Sequence, residues 1–129
     1  MKFFSLLLSL FWLLSCSGSQ LESPQKEIIL YDVKYGTDSL QTMDVYLPAN
    51  RNPKTPFVIN IHGGAWMMGD KADDHPFCQY LLSRNIAVAN LNYRLANNSG
   101  IHLPEMLDDV DSAFFVYHLK IKRLEYPKY

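Results

Sequence analysis

Residues 58–71 read Val-Ile-Asn-Ile-His-Gly-Gly-Ala-Trp-Met-Met-Gly-Asp-Lys, the spacing in this chain best suited to chemistry. Adjacent glycines at 63 and 64 let the backbone turn sharply and bring its N–H groups to a ligand with no Cβ in the way. Preorganised N–H donors suit the stabilisation of an oxygen anion in a tetrahedral acyl-transfer intermediate. Removing one such donor from a well-studied protease costs about 3–4 kcal/mol of transition-state stabilisation. A phosphate-binding role fits poorly, because the glycines lack the nucleotide-loop spacing and no Gly-Lys-Ser/Thr follows them.

The other reactive residue types offer less. Cys78 sits in the apolar helical stretch Phe77-Cys78-Gln79-Tyr80-Leu81-Leu82 and reads as a small core residue rather than a nucleophile. His62 belongs to the glycine segment, His75 and His102 fall at loop or helix-start positions, and His118 lies on the final helix. No His or Cys pair has ligand-like spacing, so neither a metal nor another cofactor is expected. The formal net charge is −1, with no basic run beyond residues 120–123, which excludes a nucleic-acid-binding stripe.

An element must carry the glycines to a usable place. Phe57 to Ile61 is a short apolar run, as expected of a strand buried on both faces. Upstream, Glu27 to Tyr35 and Leu40 to Leu47 alternate on either side of Gly36-Thr37-Asp38-Ser39, which predicts a hairpin with one solvated face. Pro48 to Pro56 is a loop. Downstream, Asp73-Asp74-His75-Pro76 marks a helix start, since proline's missing donor is harmless in the first turn and carboxylates suit the positive end. Asn85 is its stop signal. Ile86 to Tyr93 is another strand, and from Pro104 the spacing of Met106, Leu107, Val110, Phe114 and Tyr117 predicts a helix to about Lys122. Strands separated by helices argue for a parallel α/β sheet, here grafted onto an antiparallel edge. In such sheets ligands bind beyond the carboxyl ends of the strands, where residues 62–65 fall.

The first residues belong to another kind of sequence. Met1-Lys2 is charged, and Phe3 to Leu14 is apolar except for Ser5 and Ser9. Twelve residues at about 1.5 Å rise cannot cross a ~30 Å hydrocarbon core, so residues 1–15 read as a cleaved secretory signal. Leu13-Leu14-Ser15-Cys16 resembles the bacterial lipobox, which makes Cys16 the expected lipidation site; an ordinary signal with a coincidental cysteine is the alternative. Residues 16–26 form the lipidated cysteine and a flexible tether rich in Ser, Gln, Pro and Glu, leaving residues 27–129 as the folded domain. With Cys16 acylated, only Cys78 remains and no internal disulfide can form.

His62-Gly63-Gly64-Ala65-Trp66 after an apolar strand resembles the oxyanion-hole motif of α/β-hydrolases of the esterase and lipase type. Four further segments match in order: residues 43–48 (Met-Asp-Val-Tyr-Leu-Pro), Gly69-Asp70-Lys71, Asn92-Tyr93-Arg94-Leu95, and Pro104 followed by Leu107-Asp108-Asp109-Val110. Together they are similar to small secreted esterases that carry a tryptophan after the glycines, over roughly residues 28–118. The resemblance implies that Gly64 and Ala65 supply the N–H donors, Gly63 shapes the turn and His62 braces the loop. It places Trp66 either beside an acyl pocket or in the core. Tyr93-Arg94 would tie its strand to the oxyanion loop, and Asp109 would either cap or brace near that loop or lie on a solvated helix face. It implies a sheet order of 1-2-4-3-5, no cofactor, and a small-molecule or carbohydrate-linked ester as substrate. It also implies a hydrolase, carboxylesterase- or lipase-like, and the lipobox-like signal implies export across a bacterial inner membrane. The destination is then the outer membrane or cell surface as a lipoprotein held to the bilayer through Cys16, or otherwise the periplasm.

One part is absent from the sequence. The family nucleophile sits in Gly-x-Ser-x-Gly, followed by an acid and a histidine, and none of the 129 residues forms that motif. Ser17-Gly18-Ser19 is in the tether, Ser39 in a turn, Ser83 at a helix end, Ser99 in a loop and Ser112 within the last helix. The expectation is therefore the N-terminal half of an α/β-hydrolase fold, a fragment of a serine esterase inactive by itself. Its 57–61 strand edge would be open and its stability marginal. The alternatives are a non-catalytic, lipid-anchored remnant or binding module, and, within the fold, an amidase such as a formamidase.

Overall fold

The computed structural model describes residues 25–49, 51–96 and 100–121. The expected signal, Cys16, the tether up to residue 24 and the chain beyond Ile121 lie outside the described residues. Strands β1 (Ile28–Lys34) and β2 (Thr42–Leu47) form the expected hairpin, followed by β3 (Phe57–Ile61), helix α1 (His75–Ser83), strand β4 (Ala87–Leu91) and helix α2 (Leu103–Val116). The sheet order is β1-β2-β4-β3, with β3 and β4 parallel and the other pairs antiparallel.

The hairpin differs from expectation in its burial. All six residues of β2 are buried, because β4 pairs with its second edge and a helix covers each face. Met43, Val45 and Leu47 pack with Ala113 of α2 and with Tyr117, while Tyr46 packs on the other side with Cys78 and Leu82 of α1. The period of two survives, but both faces face a core. Three layers result, helix on sheet on helix. The 57–61 strand departs in the opposite direction: β3 is only half-buried, and Ile61 is 47% exposed, because it forms the sheet edge among the described residues.

Both helices start and stop for local reasons. A 3₁₀ turn over Lys71–Asp74 leads into α1, with Asp70 accepting from the Ala72 N–H at 2.8 Å and Pro76 in the first turn. At the other end Asn85 adopts φ +62°, Asn85 N–H donates to Leu82 O and Ile86 N–H to Leu81 O. That pair of bonds is a Schellman motif with asparagine in the left-handed position. Helix α2 passes at Val116 into a π-helical turn, Tyr117–Ile121, which delivers Tyr117 to the core, stacked on Phe57 at 3.7 Å between ring centroids. Cys78 is fully buried, and burial pushes its thiol up to about 11, in keeping with a core role.

Candidate active site

The loop leaving the carboxyl end of β3 is braced at its entry by a histidine and a tyrosine. His62 is buried and stacks on Tyr93 at 4.6 Å between centroids. A carbonyl can only accept, so His62 Nδ1 carries the proton it donates to Gly63 O at 2.7 Å. The Tyr93 hydroxyl donates to His62 O at 3.2 Å, and burial raises its pKa. Both side chains hold backbone rather than face open space, which leaves His62 as an organiser of the loop.

Beyond them the chain turns through three consecutive residues with positive φ: Gly64 at +119°, Ala65 at +53° and Trp66 at +62°. Left-handed backbone at two non-glycine residues in succession is strained, and such strain gathers at functional sites. Gly64 O accepts from both Met67 and Met68 N–H at 3.1 Å, closing the turn. Among the described residues, the N–H groups of Gly64 and Ala65 meet no acceptor. The glycine requirement lies at 64 rather than 63. A Cβ at Gly64 would run into Met68 O, whereas Gly63 has ordinary φ and open space around a Cβ position. The shaping of the turn thus belongs to Gly64.

A buried polar network holds the loop's exit. Gly69 packs so closely on Gly63 O and His62 that no Cβ fits. Asp70 accepts from Asn92 Nδ2 at 3.0 Å, Lys71 N–H donates to Asn92 Oδ1 at 2.6 Å, and Asn90 Nδ2 donates to Lys71 O at 2.7 Å. Lys71 Nζ lies 2.6 Å from Asp44 and 2.9 Å from Asp32. Burial works against the lysine's charge, but these two carboxylates outweigh it and raise its pKa. Backbone donation from Ala72 holds Asp70 below the usual carboxylate range. Sequence reasoning assigned no role to Asp32, Asp44, Lys71 or Asn92. The available signal was Asp44 and the asparagines standing inside otherwise apolar strands, where an unpaired polar group is costly.

Tyr93 and Arg94, expected to act together, part company. Tyr93 reaches the loop, but Arg94 turns to α2, where its Nη2 meets Asp109 Oδ1 at 2.6 Å and its Nε and backbone N–H also donate to that carboxylate. Gln41 Nε2 adds a further bond at 2.7 Å. Asp109 is fully buried and braces the strand end and the hairpin turn, neither lying on a solvated face nor touching the glycine loop. Burial pushes its carboxyl up, yet Arg94 and Gln41 prevail and hold it below the ordinary range.

Trp66 is 60% exposed, which rules out a core role. With Ala65, Met67, Ile101, Leu103 and Met106 it lines an open cavity of about 350 Å³. Trp66 O accepts from Ala96 N–H at 2.8 Å, so the segment after β4 is pinned to the loop. Among the described residues no serine hydroxyl meets a histidine nitrogen: Ser83 Oγ donates to Tyr80 O, and His75 Nδ1 pairs with the Tyr46 hydroxyl at 2.8 Å.

Known proteins resemble this chain in sequence and fold. The BD-FAE family model matches residues 43–123, more than half of the chain. The chain is 39% identical over 62 residues to isoprenylcysteine alpha-carbonyl methylesterase of Arabidopsis thaliana, covering 48% of this chain and 14% of that protein. It is 32% identical over 74 residues to kynurenine formamidase of Danio rerio, covering 57% of this chain and 25% of the relative. The crystal structure of esterase B from Lactobacillus rhamnosis superposes with a TM-score of 0.63 at 31% identity, over 78% of this chain and 32% of that one. The fold is therefore that of the α/β-hydrolase esterases. The chain spans a quarter or less of these two curated relatives and about a third of the solved esterase, rather than half.

Proposed function

The chain belongs to the BD-FAE family, and on that premise we propose that residues 62–71 are the oxyanion-binding part of a serine ester hydrolase. The observation that carries the reading is the strained turn after β3, with the Gly64 and Ala65 N–H groups meeting no acceptor among the described residues, beside an apolar cavity. When a nucleophile's oxygen adds to an ester carbonyl, the π electrons move to the carbonyl oxygen. Two fixed N–H donors hold that charge in a site already shaped for it. Collapse of the intermediate then expels the alkoxide, leaving an acyl group on the nucleophile for water to remove. The serine, acid and histidine of such a mechanism lie outside these 129 residues, since no Gly-x-Ser-x-Gly occurs in them.

The coding DNA downstream, read in all three frames, is expected to encode Gly-x-Ser-x-Gly within a few dozen codons; its absence there overturns the reading. The 129-residue chain should hydrolyse p-nitrophenyl acetate no faster than its Gly64→Pro variant. A clear excess would place a nucleophile inside it.

Similarity to a kynurenine formamidase supports a second reading within the same site, because an amide carbonyl would use the same donors. Formanilide turnover by the protein bearing the serine separates the two. The domain division stands with the proposal: a signal over residues 1–15, lipidation at Cys16, a tether to residue 26, and the hydrolase portion beyond. Palmitate labelling lost in Cys16→Ser, with release of the protein from the bacterial membrane fraction, is the expected result.

A further inference from the structure

The sheet sorts the charged residues of this chain into two ends. Its register puts Ile28, Leu47, Phe57 and Ala87 at one end and Lys34, Thr42, Ile61 and Leu91 at the other. The glycine loop leaves the second end, where β3 and β4 finish. Helix α2 runs from that end, where Arg94 meets Asp109, to the first, where Tyr117 stacks on Phe57. Exposed basic side chains gather at the first end: Lys26 before β1, Lys54 before β3, Arg84 closing α1 and Lys120 in the turn after α2. Glu27 is the one acidic residue there among the described residues. The loop end is the reverse. Asp38, Asp70, Asp73, Asp74, Glu105 and Asp108 lie there, with Lys34 as its exposed base, and Asp111 sits part-way along α2. The other two cations of that end are already taken, Lys71 by Asp32 and Asp44, and Arg94 by Asp109.

The chain enters the fold at the basic end. Arg51, itself buried, donates from Nη1 to Lys26 O at 2.6 Å and to Pro48 O at 3.0 Å, which fixes the point of entry. Residues 17–26 reach at most about 36 Å when fully extended, so a lipid on Cys16 holds a bilayer within that distance of Lys26. Strand β2, six residues at about 3.3 Å each, separates the two ends by roughly 20 Å. That is more than twice the Debye length of about 8 Å at physiological ionic strength, so a charged surface touching one end hardly senses the other. An anionic headgroup layer attracts the basic end, each Lys or Arg near it strengthening attachment about fivefold. The same layer repels the carboxylates of the loop end. From these observations, and resting on the Cys16 lipidation reading above, we infer that the basic end of the sheet is the face this domain lays on an anionic lipid bilayer. The turn at Gly64 and Ala65 then stands at the end away from the membrane, and a ligand reaches it from water rather than from the bilayer.

Depth labels read the orientation directly. Ser83 and Ser39 are both exposed, one at each end, and Cys78 is buried, so Ser83→Cys and Ser39→Cys each offer one accessible thiol to an environment-sensitive dye. The full chain, lipidated in a bacterial host, is placed in vesicles carrying a doxyl-labelled lipid, with or without phosphatidylglycerol. With phosphatidylglycerol, the dye at 83 is expected to be quenched about fivefold or more over the dye at 39. Trp66, the one tryptophan left once residues 1–15 are removed, should escape quenching. Lys26→Glu, Lys54→Glu and Arg84→Glu together should abolish the contrast, as should vesicles of phosphatidylcholine alone. The unfolding midpoint of that triple variant should not fall, because all three side chains are already in water. Equal quenching at both positions, or stronger quenching at 39 or at Trp66, overturns the assignment of this face and leaves lipidation standing. Contrast that survives the charge reversal overturns the anionic partner. The Cys16→Ser chain separates the two readings. If the parent takes up no palmitate, yet that variant shows the same contrast on phosphatidylglycerol vesicles, lipidation is overturned and the basic face stands.

Discussion

At the residue scale the two loop glycines, alike in the sequence, differ in what they do. Gly64→Ala would drive a methyl group into Met68 O at a φ that L residues avoid, so it should cost about 1–3 kcal/mol of stability in urea denaturation. Gly63→Ala meets open space and should stay within about 0.5 kcal/mol of the parent. Lys71 and Asp109 contribute to opposite limbs of the pH profile. The Asp109 pKa is depressed in the fold, so its stabilisation is complete above the unfolded value near 3.9 and is lost as pH falls through the folded value. The Lys71 pKa is raised, so its contribution is complete below about 10.4 and is lost as pH rises through the folded value. Asp109→Asn should make the acid limb shallower, leaving Asp70's share of it and the alkaline limb in place, and a thermal-melt series across pH checks it. Lys71→Met strands the buried Asp44 carboxylate and should cost about 3–5 kcal/mol. The glycine loop could be read from one segment of sequence, whereas the Lys71 partners could not: Asp32, Asp44 and Asn92 reach it from three separate places in the chain.

At the element scale, boundary signals and outcome agree wherever the cause is local. Pro76 opens α1 and Asn85 closes it, each through its own backbone preference. Asn85→Val should therefore cost about 1–2 kcal/mol, the penalty of a β-branched residue in left-handed backbone, and Asn85→Gly should cost nothing. Chemical denaturation of the two variants checks the pair. The misread hairpin face has the opposite origin. Alternation over residues 40–47 shows that two faces exist, but what covers each depends on α1 and α2, which lie far along the chain. Arg94 and Asp109 show the same limit, since the arginine's direction follows from where α2 docks.

At the scale of the whole molecule, the described residues leave large apolar side chains exposed. Leu107, Phe114 and Phe115 of α2, Leu119 in the π turn and Ile61 at the β3 edge are all exposed. A strand that forms the sheet edge among the described residues and carries no charged side chain, together with exposed apolar side chains, favours association. The 129-residue chain should bind a hydrophobic dye and sediment in a concentration-dependent way. Phe115→Glu should reduce both without lowering the unfolding midpoint, since that side chain is already in water. Sedimentation velocity and dye titration of the variant decide whether this face is responsible.

The division between sequence and tertiary structure follows the range of the forces involved. Backbone preferences and short periodicities act within a few residues. The strand-loop-helix order, both ends of α1 and the glycine turn with its exposed donors were therefore determined by sequence alone, whereas the passage of α2 into a π turn at Val116 was not. Burial and ion pairing depend on which distant segments meet. Only the packed structure decided that β2 is covered on both faces, that Asp109 holds Arg94 rather than the loop, and that Trp66 stands in solvent beside a cavity. The glycine turn was legible because its shape is local backbone geometry. Its support was not, because a buried lysine finds its carboxylates only after the sheet has assembled.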